Sequence, residues 1–332
     1  MNDDAEGPGP PTELGEVAAA ATDTRFGDTD EPHDFRAHTD ADVDIERAVS
    51  QGRPVSANDP ELEGTFQAAV EEGTLRLRRS LPTLLATGLI GGIDLSIGVI
   101  ALIVVERETG SSLLGALAFT IGFIALTLAR GELFTENFLV PVTAIIARQA
   151  RLRELARLWI GTGIMNLVGG WVVMWLLMTS MPDLGSTAIE VGELYPDMGV
   201  TWQAFALAIL GGAVITVMTW MERNSDTQGP RIVAAIAASF VLAAVPLNHV
   251  IVSSLEMFAA LHAGAPFGYL DYAAVTVWSM LGNTVGGLLL VTLVRLVQVG
   301  RGPIEQARRT PFRRLHPAEA DDDPAVDGGR GG

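Results

Sequence analysis

The chain has 332 residues, a mean hydropathy of +0.33 and a formal net charge of −17, values that do not describe one soluble globule. It has no cysteine, which excludes a disulfide framework, a thiolate nucleophile and Cys-ligated zinc or iron–sulfur sites. An acidic chain whose 22 basic residues are all Arg, without basic tracts, is also a poor binder of nucleic acid.

The charge sits at the ends. Residues 1–63 hold 17 Asp and Glu against 4 Arg, and residues 315–332 hold 5 acidic residues against Arg330. That leaves 17 of the 39 acidic and 17 of the 22 basic residues for the middle, which is neutral and strongly apolar. The expected organisation is an acidic disordered tail over 1–63, a transmembrane domain over 64–314 and a second acidic tail over 315–332. Residues 61–79 read as an amphipathic helix leading into the apolar part.

A bilayer crossing takes about 20 apolar residues in a helix. Residues 81–105, 158–182, 199–221 and 272–294 each meet this length, the first interrupted only by Asp94. Two regions are longer and broken. Residues 111–129 meet Arg130-Gly131-Glu132 and resume over 133–147; residues 232–247 meet Asn248-His249 after Pro246 and resume to 261. Reading the breaks as loops between extra spans is disfavoured by length, since residues 137–147 cover only about half a bilayer at roughly 1.5 Å per residue. Six spans with the second and fifth discontinuous are therefore expected.

Arginine placement fits six crossings. Arg76, Arg78, Arg79, Arg148, Arg151, Arg153, Arg157, Arg223, Arg231, Arg295 and Arg301 all fall on one side, whereas the opposite loops contain only Arg107. The positive-inside rule puts both termini in the cytoplasm of a multi-pass cell-membrane protein.

Asn166-Leu167-Val168-Gly169-Gly170 in the third span matches Asn283-Thr284-Val285-Gly286-Gly287 in the sixth at four of five positions. Each motif closes a three-span half whose middle span is broken. Three spans per half, with both termini on one side, make this an inverted repeat. Such folds place the transport path where the broken helices meet.

The second half of each broken helix begins at the break, so its N-terminal dipole end should face the midplane and favour an anion. His249 lies at one such end and is the one His of five inside a span, which marks it as a pathway residue. Asp94, Glu132, Glu136 and Glu256 are the other ionisable groups at membrane depth. Glu256, seven positions from His249, could pair with the imidazole; Glu132 and Glu136 could cap or pair near Arg130; Asp94 could relay protons or bond between helices. No phosphate loop, GxSxG elbow, HExxH or carboxylate-rich metal site is evident, so neither an enzyme nor a metal or cofactor site is expected.

The stretch Gly131-Glu132-Leu133-Phe134-Thr135-Glu136-Asn137 resembles the GELFTxN signature of the formate/nitrite transporter family. The resemblance covers about residues 65–300. It implies an all-α, aquaporin-like fold of six spans in a 3+3 inverted repeat, assembled as a homopentamer that conducts small monovalent weak-acid anions with protons. Leu133 and Phe134 would form an apolar constriction and Thr135 a polar contact to His249, the central pore residue and proton donor. Asn283 would approach the same His and Asn166 would be its counterpart, with Asn248 also on the substrate path. The family usually has Glu before the His; Asn248 in that place and the additional Glu256 imply a divergent branch. Glu256, Glu132, Glu136, Arg130 and Asp94 would tune charge. A neutral-solute channel or a membrane scaffold with a vestigial pore are the alternatives.

Overall fold

The computed structural model describes residues 60–310, all of them helix or short connection. The tails expected to be disordered lie outside the described residues, except that residues 60–63 already form the first turn of a helix.

Helix α1 (Pro60–Arg78) has Glu61 and Glu63 in its first turn and Arg76 and Arg78 in its last, which complements the helix dipole. Helix α2 (Leu81–Thr109) starts at Ser80, whose hydroxyl accepts the Thr83 N–H at 3.4 Å, and stops at Gly110 in the left-handed conformation at φ 65°. Helix α3 (Ser112–Ala129) is capped by Ser111 and ends at Arg130, also left-handed at φ 58°. After a 3-10 turn over Phe134–Phe138 comes the short α4 (Val140–Ile146), and α5 (Leu152–Ser180) completes the first half.

The second half repeats this plan. Helix α6 (Gly185–Met198) joins the halves, and α7 (Trp202–Arg223) begins at the Thr201 cap. Helices α8 (Gln228–Ala244) and α9 (Val250–Ala263) flank the second break. Helix α10 (Tyr269–Val285) continues through a π-helical stretch, Gly286–Thr292, into α11 (Leu293–Val299), and α12 (Arg301–Arg309) follows. Within the halves α2 packs on α3 and α5 as α7 packs on α8 and α10; between them α3 meets α8 and α5 meets α9.

Five helical stretches are long and apolar enough to cross a membrane, namely α2, α3, α5, α7 and the continuous Tyr269–Val299. The sixth span is assembled from α8 and α9, each too short alone. Large apolar side chains such as Leu117, Ile160, Ile164, Val277 and Val297 stay exposed on the outside, as lipid contact requires. Close helix contact comes from small residues: a Cβ at Gly92 would strike the Asn166 backbone, and one at Gly212 would strike that of Asn283.

The first break falls at Arg130-Gly131-Glu132 as expected, because α3 ends after its 18 residues where Arg130 adopts the left-handed cap. One feature differs from the sequence expectation. The connection between the halves is not a plain loop. Helix α6 buries Ala188, Gly192 and Tyr195, a 4,3 spacing that makes one helical stripe, against α9.

Candidate functional site

The two chain breaks meet at the centre of the fold, and each is held by one asparagine. Asn166 on α5 accepts the Phe134 N–H at 2.9 Å and donates to the carbonyls of Gly88 at 2.7 Å and Glu132 at 2.8 Å. Asn283 on α10 accepts the Val250 N–H at 2.9 Å and donates to the carbonyls of Ala208 at 2.7 Å and Asn248 at 2.9 Å. Both side chains are fully buried. They satisfy backbone groups that the interrupted helices cannot, which membrane depth demands.

The helix ends expected at the two breaks have their first amides occupied by protein groups. The Leu133 N–H is taken by Glu136 Oε2 at 3.3 Å and the Phe134 and Val250 amides by the asparagines. The post-break helix of the first half, α4, has only seven residues and carries little dipole.

His249 is the N-cap of α9 and is completely buried. Its Nδ1 accepts the Val252 N–H at 3.3 Å, and its Nε2 lies 2.7 Å from the Thr135 hydroxyl across the opposite break. Since Nδ1 acts as acceptor, the proton of the neutral ring resides on Nε2 and points at Thr135. A proton added at Nδ1 would face another N–H, so charging the ring requires the cap to open.

Leu133 and Phe134 precede Thr135 and are buried. The Phe134 ring packs edge-on against Phe138 at 5.0 Å and Trp159 at 6.1 Å, and Phe138 against Trp159 at 5.4 Å. Trp159 is in turn fixed by donating to the Asn137 carbonyl at 3.0 Å. This aromatic group leaves Phe134 little rotational freedom beside the Thr135–His249 contact.

A cavity opens on either side of this centre. The one near the described chain ends measures about 370 Å³ and is lined by five Arg, including Arg76, Arg130 and Arg223, and by four Glu. Glu132 bonds to Arg79 at 2.6 Å and Arg76 at 3.2 Å, and Arg76 also reaches Asn137 at 3.2 Å and Glu72 at 2.6 Å. Burial alone would raise the Glu72 carboxyl, but Arg76 and Arg223 hold it below its ordinary value. Burial likewise opposes the charge on Arg76, and Glu132 and Glu72 more than reverse this. The opposite cavity measures about 290 Å³ and contains Glu106, Glu190, Glu256 and Tyr195 but no Arg.

The structure brings His249, Thr135, Leu133, Phe134, Asn166 and Asn283 to one place. Asn248 is beside them, but its side chain accepts from Ser279 at 2.7 Å and its carbonyl from Asn283. Glu256 does not pair with His249: seven residues of helix separate them by about 10 Å along the axis, and its carboxylate accepts the Tyr195 hydroxyl instead. Glu132 pairs with Arg76 and Arg79 and Glu136 caps Leu133, so neither is bonded to Arg130, which stands exposed in the cavity wall. Asp94 Oδ2 is buried against Gly131 without a bonded partner among the described residues.

Sequence reasoning missed Tyr195, Arg76 and the Gly91-Gly92 and Gly211-Gly212 pairs. The glycines were available as a signal: each pair occupies the first span of its half, just as the asparagine motifs occupy the third.

The family model for formate/nitrite transporters matches residues 63–297. The "Uncharacterized transporter YrhG" of Bacillus subtilis (strain 168) is 28% identical over 244 residues, covering 70% of this chain and 90% of that protein. Among solved structures, an "FNT family ion channel" has a TM-score of 0.61 at 15% identity, covering 70% of this chain and 97% of the other. A "Pentameric formate channel with formate bound" has a TM-score of 0.54 at 19% identity, covering 64% and 95%. These two share the fold of this chain.

Proposed function

Since the chain belongs to the formate/nitrite transporter family, we propose that it carries a small monovalent weak-acid anion across the membrane together with a proton passed through His249. The observation that supports this most is the 2.7 Å contact of His249 Nε2 with Thr135, placed between two cavities and beside Leu133 and Phe134.

An anion such as formate cannot pass buried Leu133 and Phe134 while charged, because removing its water costs far more than these side chains return. Addition of a proton removes most of that cost. The anion accepts a proton from Nε2 by way of the Thr135 hydroxyl, which gives one proton and receives one. Nδ1, released from the Val252 amide, takes a proton from water, so the ring remains neutral when the neutral acid leaves; the ring then returns the Nδ1 proton to water and takes one at Nε2 through Thr135, which restores the cap. Asn283 and Asn166 hold the two breaks in register during this exchange.

The charge pattern supports the rest of the assignment. Five Arg against four Glu line the cavity near the described chain ends, with Arg130 exposed toward an arriving anion, and by the positive-inside rule the Arg-rich loops support a cytoplasmic position for that side and for both termini. The pentamer of the formate channel that shares this fold supports a homopentamer in a cell membrane.

Proteoliposomes loaded with a pH-sensitive dye test the reading. Formate or nitrite added outside should acidify the lumen faster than in empty vesicles, and His249→Ala should abolish the excess. A response equal to leakage for formate, nitrite, acetate, lactate and hydrosulfide would leave a neutral-solute channel or a scaffold. An undiminished response in His249→Ala would remove the His from the mechanism.

A further inference from the structure

We propose that Glu256, braced by Tyr195, is the group that reloads the Nδ1 face of His249 with protons, and this rests on the transport reading above. Glu256 lies on α9, two turns beyond His249, and is 4% exposed. One carboxylate oxygen, Oε2, accepts the Tyr195 hydroxyl, while Oε1 has no bonded partner among the described residues and Glu256 contributes to the cavity wall. The same cavity reaches Val252, whose N–H is the one bonded to His249 Nδ1. The carboxyl and the residue whose amide covers the ring nitrogen thus share one half-open cavity, and opening of the Val252 cap would bring Nδ1 to its edge.

Its volume of about 290 Å³ accommodates several waters at roughly 30 Å³ each. Glu256 gives its O–H proton to the nearest water, successive waters pass one proton each, and the last protonates Nδ1 as the Val252 amide lets go. The Tyr195 hydroxyl stabilises the carboxylate left behind, which regains a proton from water outside. No atom or charge is gained or lost over the cycle.

The surroundings suit storage of protons and not of anions. Glu106 on α2 and Glu190 on α6 line the same cavity, which has no Arg. Tyr195 on α6 and Tyr272 on α10 are the other titratable groups facing α9, and α5 has ionisable side chains only at its far end, Arg153, Glu154 and Arg157. Helix α8 offers Leu242, Ala243 and Ala244. On α9 itself, His249 and His262 are the remaining titratable groups. Three carboxyls and no arginine around so small a space make it a poor site for an anion.

The test is the pH profile of formate-driven acidification in dye-loaded proteoliposomes for wild type, Glu256→Gln and Tyr195→Phe. Gln keeps the size and the bond to Tyr195 but has no proton to give. Its rate should fall about tenfold or more near pH 7.5, in the range of a lost general acid, and much less near pH 5.5, where water supplies protons. Tyr195→Phe should move the midpoint of the profile. A merely structural role would lower both rates in proportion. Unchanged or proportionally lowered profiles in both variants overturn the proposal while leaving transport intact. Absence of any formate response in wild type overturns the transport reading, and this one with it. Should Glu256→Gln fail to assemble, Tyr195→Phe decides alone, an unmoved midpoint being contrary.

Discussion

Asn166 and Asn283 occupy equivalent positions in opposite halves, and each holds its chain break by the same three bonds. Each accepts one amide, from Phe134 or Val250, and donates to two carbonyls, of Gly88 and Glu132 or of Ala208 and Asn248. The match equates Leu133 in the first break with His249 in the second. An internal twofold relationship thus supplies one apolar and one ionisable side chain at the centre, and the asymmetry needed for chemistry is built on a symmetric frame.

Replacing either asparagine with Ala should destabilise the protein by about 2–4 kcal/mol, the loss of three buried bonds at roughly 1 kcal/mol each. Thermal unfolding in detergent measures this. A transition unchanged from wild type in both variants would mean that the clamps contribute nothing.

Phe134→Ala should widen the passage, because the ring fills the space beside Phe138 and Trp159 next to Thr135. Acetate and lactate flux should rise relative to formate by about tenfold, and the vacated space should lower stability by about 3–5 kcal/mol. Continued exclusion of lactate to the wild-type degree would place the constriction elsewhere.

Gly212→Ala should prevent assembly of the second half, since the added methyl has no room against the Asn283 backbone. Gly229→Ala, where nothing lies within 4 Å, should be neutral or slightly stabilising. Expression yield and size-exclusion profile distinguish the two; equal behaviour would contradict the close approach of α7 to α10.

Acid should loosen α1 before the spans. Glu72 is held below its unfolded value by Arg76 and Arg223, so the attachment is at full strength above that unfolded value, about 4.3. It weakens as pH falls through the lower folded value. The protection of residues 60–78 against hydrogen exchange, taken relative to the intrinsic rate at each pH, should therefore fall as pH drops below about 4.3, and Glu72→Gln should show the lower protection already at pH 7. Unchanged protection below that pH would mean that the ion pairs do not secure the helix.

Hydropathy made the six spans and both breaks legible, because a bilayer forces long apolar helices and any polar interruption stands out. His249 was visible for the same reason, and Asn166 and Asn283 through the repeated five-residue motif. Helix α6 was obscure because its 14 residues mix Gly, Glu and Pro and its stripe of Ala188, Gly192 and Tyr195 contains only one large side chain. The partners of Glu132 and Glu256, Arg76 and Tyr195, are 56 and 61 positions away, and no local spacing encodes such pairs.

The central claim is that the anion crosses only with a proton, so net charge does not move. Formate influx into proteoliposomes clamped with potassium and valinomycin tests it directly, with the interior set about 100 mV positive and then about 100 mV negative. Coupled transport predicts equal initial rates. A bare anion would gain up to about 2.3 kcal/mol per 100 mV, and influx favoured as much as about 50-fold per 100 mV by a positive interior would contradict the account.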